Sequence, residues 1–240
     1  MNGDDGDAFF KGVSMADGFV IFTLNDAEST KIKIPFYSET ELTVHVTEPG
    51  TLKSLLTDEQ MRTVISLKVI GSINGGDIRT IDASMLVVER VDLSDTDITG
   101  AGSFSGYGLL YGNQTLKEII YPESCTDIAA NAFKGCTNLE TVSFGQNSKL
   151  QTIGDGAFAR CTSLKEIEIP ASVTLLYLSA FSVCDNLKTI ICHATLPPQL
   201  NSISGTVPAN CVLYVPNEAV ALYKAAGGWK SFKTILPIPE

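Results

Sequence analysis

Four leucines, Leu116, Leu139, Leu164 and Leu187, each open a unit of the same design, at spacings of 23, 25 and 23 residues. The unit reads Leu-x-x-Ile-x-Ile-Pro-x-x-Val-x-x-Ile-x-x-x-Ala-Phe-x-x-Cys. Its first part is filled by Leu116, Ile119, Tyr121 and Pro122, and again by Leu164, Ile167, Ile169 and Pro170; the unit between uses Leu139, Val142 and Phe144. The Ala-Phe step recurs as Ala132-Phe133, Ala157-Phe158 and Ala180-Phe181, followed by Cys136, Cys161 and Cys184. Weaker copies lie upstream (Val64, Leu67, Val69; Val88, Val91, Leu93) and downstream (Leu213, Val215, Pro216), giving about seven units. Each alternating apolar run reads as a short strand with one inward face. A single unit cannot bury that face alone, so each must stack on the next, ~4.8 Å away.

A repeat of this length built on Leu-x-x-Ile-x-Ile is the pattern of a leucine-rich solenoid. The full unit resembles the BspA-like leucine-rich repeats, common on the surfaces of Bacteroidetes and some protists, and residues 116–192 match it closely. Two flanking stretches are similar to the caps that accompany those repeats. One holds residues 50–56, 66–69 and 74–79; the other holds residues 213–216, Tyr223, Gly228-Trp229 and Phe232. Cys125 departs from the pattern where Val is preferred, and Cys192 where a second Ile is preferred. The fold expected is α/β: a β-rich, right-handed, parallel-sheet solenoid of about seven coils, with a small N-terminal β-sheet and a C-terminal helical cap. The resemblance implies an exported, non-catalytic recognition or adhesion role; a monomer is expected.

The chain before the repeats has a different rhythm. Phe19 to Leu24 and Lys31 to Phe36 read as two strands around a turn at Asn25-Asp26, and Glu41 to Val46 alternates as a third. Three strands make a sheet too small to stand alone with comfort. Residues 1–12 are expected to be a disordered acidic leader, 13–48 a small N-terminal β region, and 49–240 the solenoid with its caps. Thr57-x-x-Gln60 has the form of a capping box, placing a short helix near 58–63. Residues 217–226 read as a helix stopped by Gly227-Gly228, with Trp229 and Phe232 closing the last coil.

Charge and composition narrow the chemistry. The formal net charge is −10, which argues against nucleic acid as partner. Residues 1–60 carry −7 of it, from 11 acids and 4 lysines. No apolar run approaches the ~18 residues a membrane span needs, and no signal-peptide core is present. Residues 2–7 resemble the Asp-rich segment that follows the lipidated cysteine of Bacteroidetes surface lipoproteins. That resemblance implies a lipid anchor on the full-length protein, with Met1 in place of the cysteine; a plain disordered terminus is the alternative. Six cysteines suggest a disulfide framework, yet three sit at equivalent repeat positions and read as a buried thiol column.

With only His45 and His193, few catalytic or zinc arrangements have enough parts, and no cofactor, metal or catalytic group is expected. Asp95-x-Asp97-x-Thr99-Gly100 matches the start of a calcium loop, but the twelfth position is Gly106 where a bidentate Glu belongs. The five glycines from Gly100 to Gly112 lack a phosphate-loop pattern and read as an insertion. Glu166 and Glu168 share one strand face and read as a solvated pair with no pocket to shift either. Asn113-Gln114-Thr115 is a formal sequon placed in a loop.

Partner binding is assigned to the outward strand positions. These are Lys117, Glu118 and Ile120; Thr141 and Ser143, beside Glu140; Lys165, Glu166 and Glu168; and Lys188, Thr189 and Ile191. The face is mixed in character and lacks an aromatic row. That favours an extracellular or host protein over a glycan, with an enzyme the remote alternative. The stacking reading has a direct test: Phe158→Ala should lower stability by about 3–5 kcal/mol, read as a large drop in thermal midpoint.

Overall fold

Period-2 alternation becomes strand in both parts of the chain. The computed structural model describes residues 10–16, 19–24, 30–35, 41–99, 109–201 and 210–239. Two units are distinguished, residues 1–40 and 41–240. In the first, β1 (Phe10–Ala16), β2 (Phe19–Leu24) and β3 (Lys31–Pro35) form an antiparallel sheet in the order β1-β2-β3. Residues 10–12, assigned to the leader by the sequence, thus belong to a strand. The rest of the leader, residues 1–9, and the Asn25-Asp26 turn lie outside the described residues.

The second unit opens on β4 (Glu41–Val46), which sequence alternation placed in the small sheet. Instead it pairs in parallel with β5 (Ser66–Ile73), with Val44 opposite Val69 and Val46 opposite Gly71. The physical reason is its inward face: Val44 and Val46 are buried in the same core as Leu67 and Val69. Gly71 permits the approach. Its φ is +99°, and a Cβ there would collide with the Val46 carbonyl oxygen. Between these strands come α1 (Leu52–Leu55) and α2 (Asp58–Thr63). Both capping-box bonds of Thr57 and Gln60 are made at the start of α2. After β5, α3 (Gly75–Ser84) begins at the buried carboxylate of Asp77. Asp77 accepts from the backbone N–H groups of Gly50, Leu52 and Asn74 at 2.6, 2.8 and 2.9 Å. One side chain therefore ties residues 50–52 to the start of α3, pairing three backbone donors.

Strands then recur at the repeat spacing: β6 (Arg90–Asp92), β7 (Thr96–Ile98), β8 (Glu118–Tyr121), β9 (Asp127–Ile128), β10 (Thr141–Phe144), β11 (Thr152–Ile153), β12 (Glu166–Ile169), β13 (Leu175–Tyr177), β14 (Thr189–Cys192), β15 (Gln199–Asn201) and β16 (Val212–Val215). A helix, α4 (Val220–Ala225), and a last strand, β17 (Thr234–Pro237), complete the chain. All pairing in this unit is parallel. One sheet runs β10-β8-β6-β5-β4, with β7 also on β5; a second runs β12-β14-β16-β17; a third, made of the short strands, runs β15-β13-β11-β9. The arrangement is an α/β repeat fold of parallel sheets with helices.

Between the sheets lie the repeat columns. Leu116, Leu139, Leu164 and Leu187 are buried, as are Ile119, Val142, Ile167 and Ile190. Phe133, Phe158 and Phe181 form a stack of near-parallel rings, with centroids 5.4 and 5.9 Å apart. Beside it the cysteines are free thiols. Cys136, Cys161 and Cys184 each aim Sγ at a carbonyl of the preceding unit, those of Leu110, Phe133 and Phe158, at 2.9, 3.2 and 3.0 Å. The thiol column is thus both apolar filling and a weak lateral hydrogen-bond ladder.

The residue before each of these cysteines adopts a left-handed backbone: Gly135 at φ +81°, Arg160 at +63° and Val183 at +60°. Gly112, at +73°, is the same position one unit earlier, with Asn113 in the cysteine's place. Residues 109–112 are therefore a repeat turn and not part of an insertion; residues 100–108 lie outside the described residues. Asn113, the sequon asparagine, spends its carbonyl oxygen on the N–H groups of Thr115 and Leu116.

At the far end, residues 217–225 are helical, split into a short 3-10 turn and α4. Trp229 and Phe232 are buried and stacked, and Tyr223 meets Trp229 edge-on with centroids 4.9 Å apart. The indole N–H donates to the Pro198 carbonyl at 2.8 Å and the Tyr223 hydroxyl to that of Ala194 at 2.9 Å.

Two outcomes follow from these columns. Val183 is β-branched, 55% exposed and left-handed, so Val183→Gly should raise stability by about 1 kcal/mol, readable in denaturant melts. Burial pushes the thiols of Cys136 and Cys184 up from 9.0 to about 12 and about 11. The unfolded chain ionises them first, so their contribution is complete below pH 9.0 and is lost as pH rises through 11 and 12. Thermal midpoints should fall across that window, and less steeply in the Cys136→Ala/Cys184→Ala protein.

Candidate functional site

Backbone pairing on the long-strand side is regular until one junction. The N–H groups of Glu140 and Thr141 both donate to the Lys117 carbonyl, and those of Lys188 and Thr189 to that of Lys165. Between β10 and β12 no such pair exists. The strands lie side by side but end two separate sheets, and the nearest backbone bond runs from Ser163 N–H to the Thr137 carbonyl at 3.1 Å. This seam falls within the one 25-residue unit. Its excess lies in the turn after β10, where five residues separate Phe144 from Leu150; three separate Ile169 from Val173. On the opposite side the ladder is unbroken, since β11 pairs with both β9 and β13.

A cleft of about 780 Å³ opens at the seam. Its strand walls carry Thr141, Ser143 and Phe144 from one sheet, with Glu140 just before them, and Glu166 and Glu168 from the other. Gln146, Ser148 and Ser172 from the turns, together with His193, complete much of the rim. The longer turn is held by Glu123, whose Oε1 accepts from Asn147 N–H at 3.3 Å, and by the Ser172 hydroxyl, which donates to the Ser148 carbonyl at 2.9 Å. Glu166 and Glu168 are exposed, as a solvated pair should be, but they do line a cleft, contrary to the flat face read from the sequence. The two-residue excess creates that space. His193, which no motif marked, places Nε2 3.1 Å from Glu168 Oε2.

The other outward residues fall on either side. Lys117 is paired with Glu89 at 2.8 Å, which holds its ammonium above the usual lysine value. Glu118 meets Arg90 Nε at 3.1 Å, and Ile120 stands between Asp92 and Ser143 in register. Lys165 and Lys188 are exposed at the starts of β12 and β14, while Thr189 and Ile191 are half-buried opposite Glu166 and Glu168. Thus only Thr141, Ser143, Glu166 and Glu168 of the eleven expected residues meet in the cleft. The same face continues beyond Ile191 into Tyr214 and Leu236, which are in register across β16 and β17.

Asp95 of the calcium-like stretch bonds Lys68 Nζ at 2.7 Å, which raises that ammonium's pKa. Thr96–Ile98 is strand, and the later positions of that stretch lie outside the described residues; among the described residues no group of three or more His, Cys, Asp or Glu converges on a metal position. No helix among the described residues is long and apolar enough to cross a membrane.

Residues 106–216 match the model of the BspA type leucine rich repeat region, in six copies. No curated protein matches the chain. Among solved structures, a leucine rich cell surface protein from Faecalibacterium prausnitzii is similar at 14% identity, over 94% of this chain and 72% of that one, with a TM-score of 0.36. A likeness at that score carries no argument about function.

Proposed function

We propose, on the match of residues 106–216 to the BspA type leucine rich repeat region, that the protein is a non-catalytic, exported recognition or adhesion module that binds an extracellular or host protein. The stack reads as a right-handed solenoid whose seven coils carry β5, β6, β8, β10, β12, β14 and β16, with β4 and β17 as end strands. In this reading the full-length protein is monomeric, displayed at the cell surface and carries a lipid anchor near its acidic start. The observation that supports the reading best is the cleft at the β10–β12 seam, where the outward face gains depth. A repeat array offers a broad surface rather than an enclosed pocket, and broad surfaces suit protein partners. The scarcity of aromatic side chains on the outward positions disfavours sugar stacking.

The test is retention of extracellular host proteins on the immobilised chain, quantified by mass spectrometry, with a glycan array run in parallel. A protein partner retained by the native chain should be lost at least tenfold by Glu166→Lys/Glu168→Lys, a change of about 1.4 kcal/mol or more. Retention of glycans without proteins, or equal retention by the variant, would overturn the proposal.

A further inference from the structure

The face from β12 to β17 has a polarity that no single strand reveals. In register, Glu168 stands beside Ile191, Ile191 beside Tyr214, and Tyr214 beside Leu236. All four are outward positions: Glu168 and Leu236 are exposed, and Ile191 and Tyr214 half-buried. One end of the row is therefore acidic, and the other three places are apolar. Glu166 adds a second carboxylate at the acidic end, with Glu140 across the seam, and the cleft lining contains neither Lys nor Arg. Lys165, Lys188 and Lys233 are exposed beside the N-terminal ends of β12, β14 and β17, so cationic side chains occupy that margin.

We infer that this face holds an extended segment of a protein partner, lying across the strands, with a Lys or Arg side chain in the acidic cleft and apolar side chains on Ile191, Tyr214 and Leu236. The inference rests on the proposed recognition function and names the chemistry of its partner. Charge decides the orientation: a basic side chain is drawn to Glu166 and Glu168 and repelled by the lysine margin. Geometry decides the spacing. Strands ~4.8 Å apart put Leu236 about 14 Å from Glu168 along the row, and an extended chain advances ~3.3 Å per residue. A basic residue followed by apolar residues two and four places later covers that distance on one face. The half-buried Ile191 and Tyr214 and the exposed Leu236 provide the apolar surface, and the carboxylates select the partner.

The probe is a random seven-residue phage-displayed peptide library, panned on the intact chain, with enriched sequences synthesised and measured by fluorescence anisotropy. Enriched peptides should carry Lys or Arg followed by apolar residues at the second and fourth places beyond it. Their affinity should fall at least tenfold for Glu166→Gln/Glu168→Gln and for Leu236→Ser. All three sites are exposed, and unchanged thermal midpoints would confirm that each variant folds. Enrichment of acidic or patternless peptides, no enrichment, or equal binding by both variants overturns the inference. Should a host protein still be retained through this face in the pull-down, the recognition function stands and only the partner chemistry falls. Loss of both removes the two together.

Discussion

Every long-range element of residues 41–240 depends on one arrangement: parallel backbone pairing between chain segments one repeat apart. A short strand of three or four residues has little stability by itself, because the bonds it makes are few and its inward face is small. Repetition changes the balance. Once Ile167 sits beside Ile190 and Ile190 beside Leu213, each inward side chain is covered by its own equivalent, and the backbone bonds follow at the same spacing. The Phe133, Phe158 and Phe181 rings and the three thiols add two more columns of the same pitch. Nearest-neighbour contacts of this kind make stability a sum over junctions.

That dependence explains why a two-residue excess matters so much at one place and so little elsewhere. Between Phe144 and Leu150 the chain is longer, yet Leu150, Ile153, Ala157 and Phe158 remain fully buried at their usual positions. The core absorbs none of the excess; the turn takes all of it. What changes is the outer ladder, which stops between β10 and β12, and the cleft that opens there. Function on such a scaffold is written in departures from the repeat, since the repeat itself is committed to packing.

The parts legible from sequence were those expressed as columns. Leucine, phenylalanine and cysteine positions recur with the period, and the Thr57–Gln60 capping box is a local signal with a local cause. Partnership was less legible. Glu41 to Val46 announces a strand by alternation, but alternation does not say which strand lies beside it. Phe10–Ala16 was hidden because the acidic residues before it drew its first residues into a leader. The strands Asp127–Ile128 and Thr152–Ile153 are too short to alternate at all. Thr234–Pro237 ends in proline and has no strand signal of its own in the sequence; without it the apolar row stops at Tyr214. The cleft follows from a difference of two in residue counting, and its partner His193 from a fold-back of 25 residues that no motif encodes.

The seam also divides the molecule's mechanics. One side of the stack is continuous from β9 to β15, and the aromatic column crosses without a gap, while the opposite side is interrupted once. A structure tied along its spine and slit at its fore-edge bends about the spine. A bend about that line would change the width of the slit before it parted the rings. The two halves of the outward face are then leaves joined at a binding, and the turn from Phe144 to Leu150 supplies the slack in the chain beside that line.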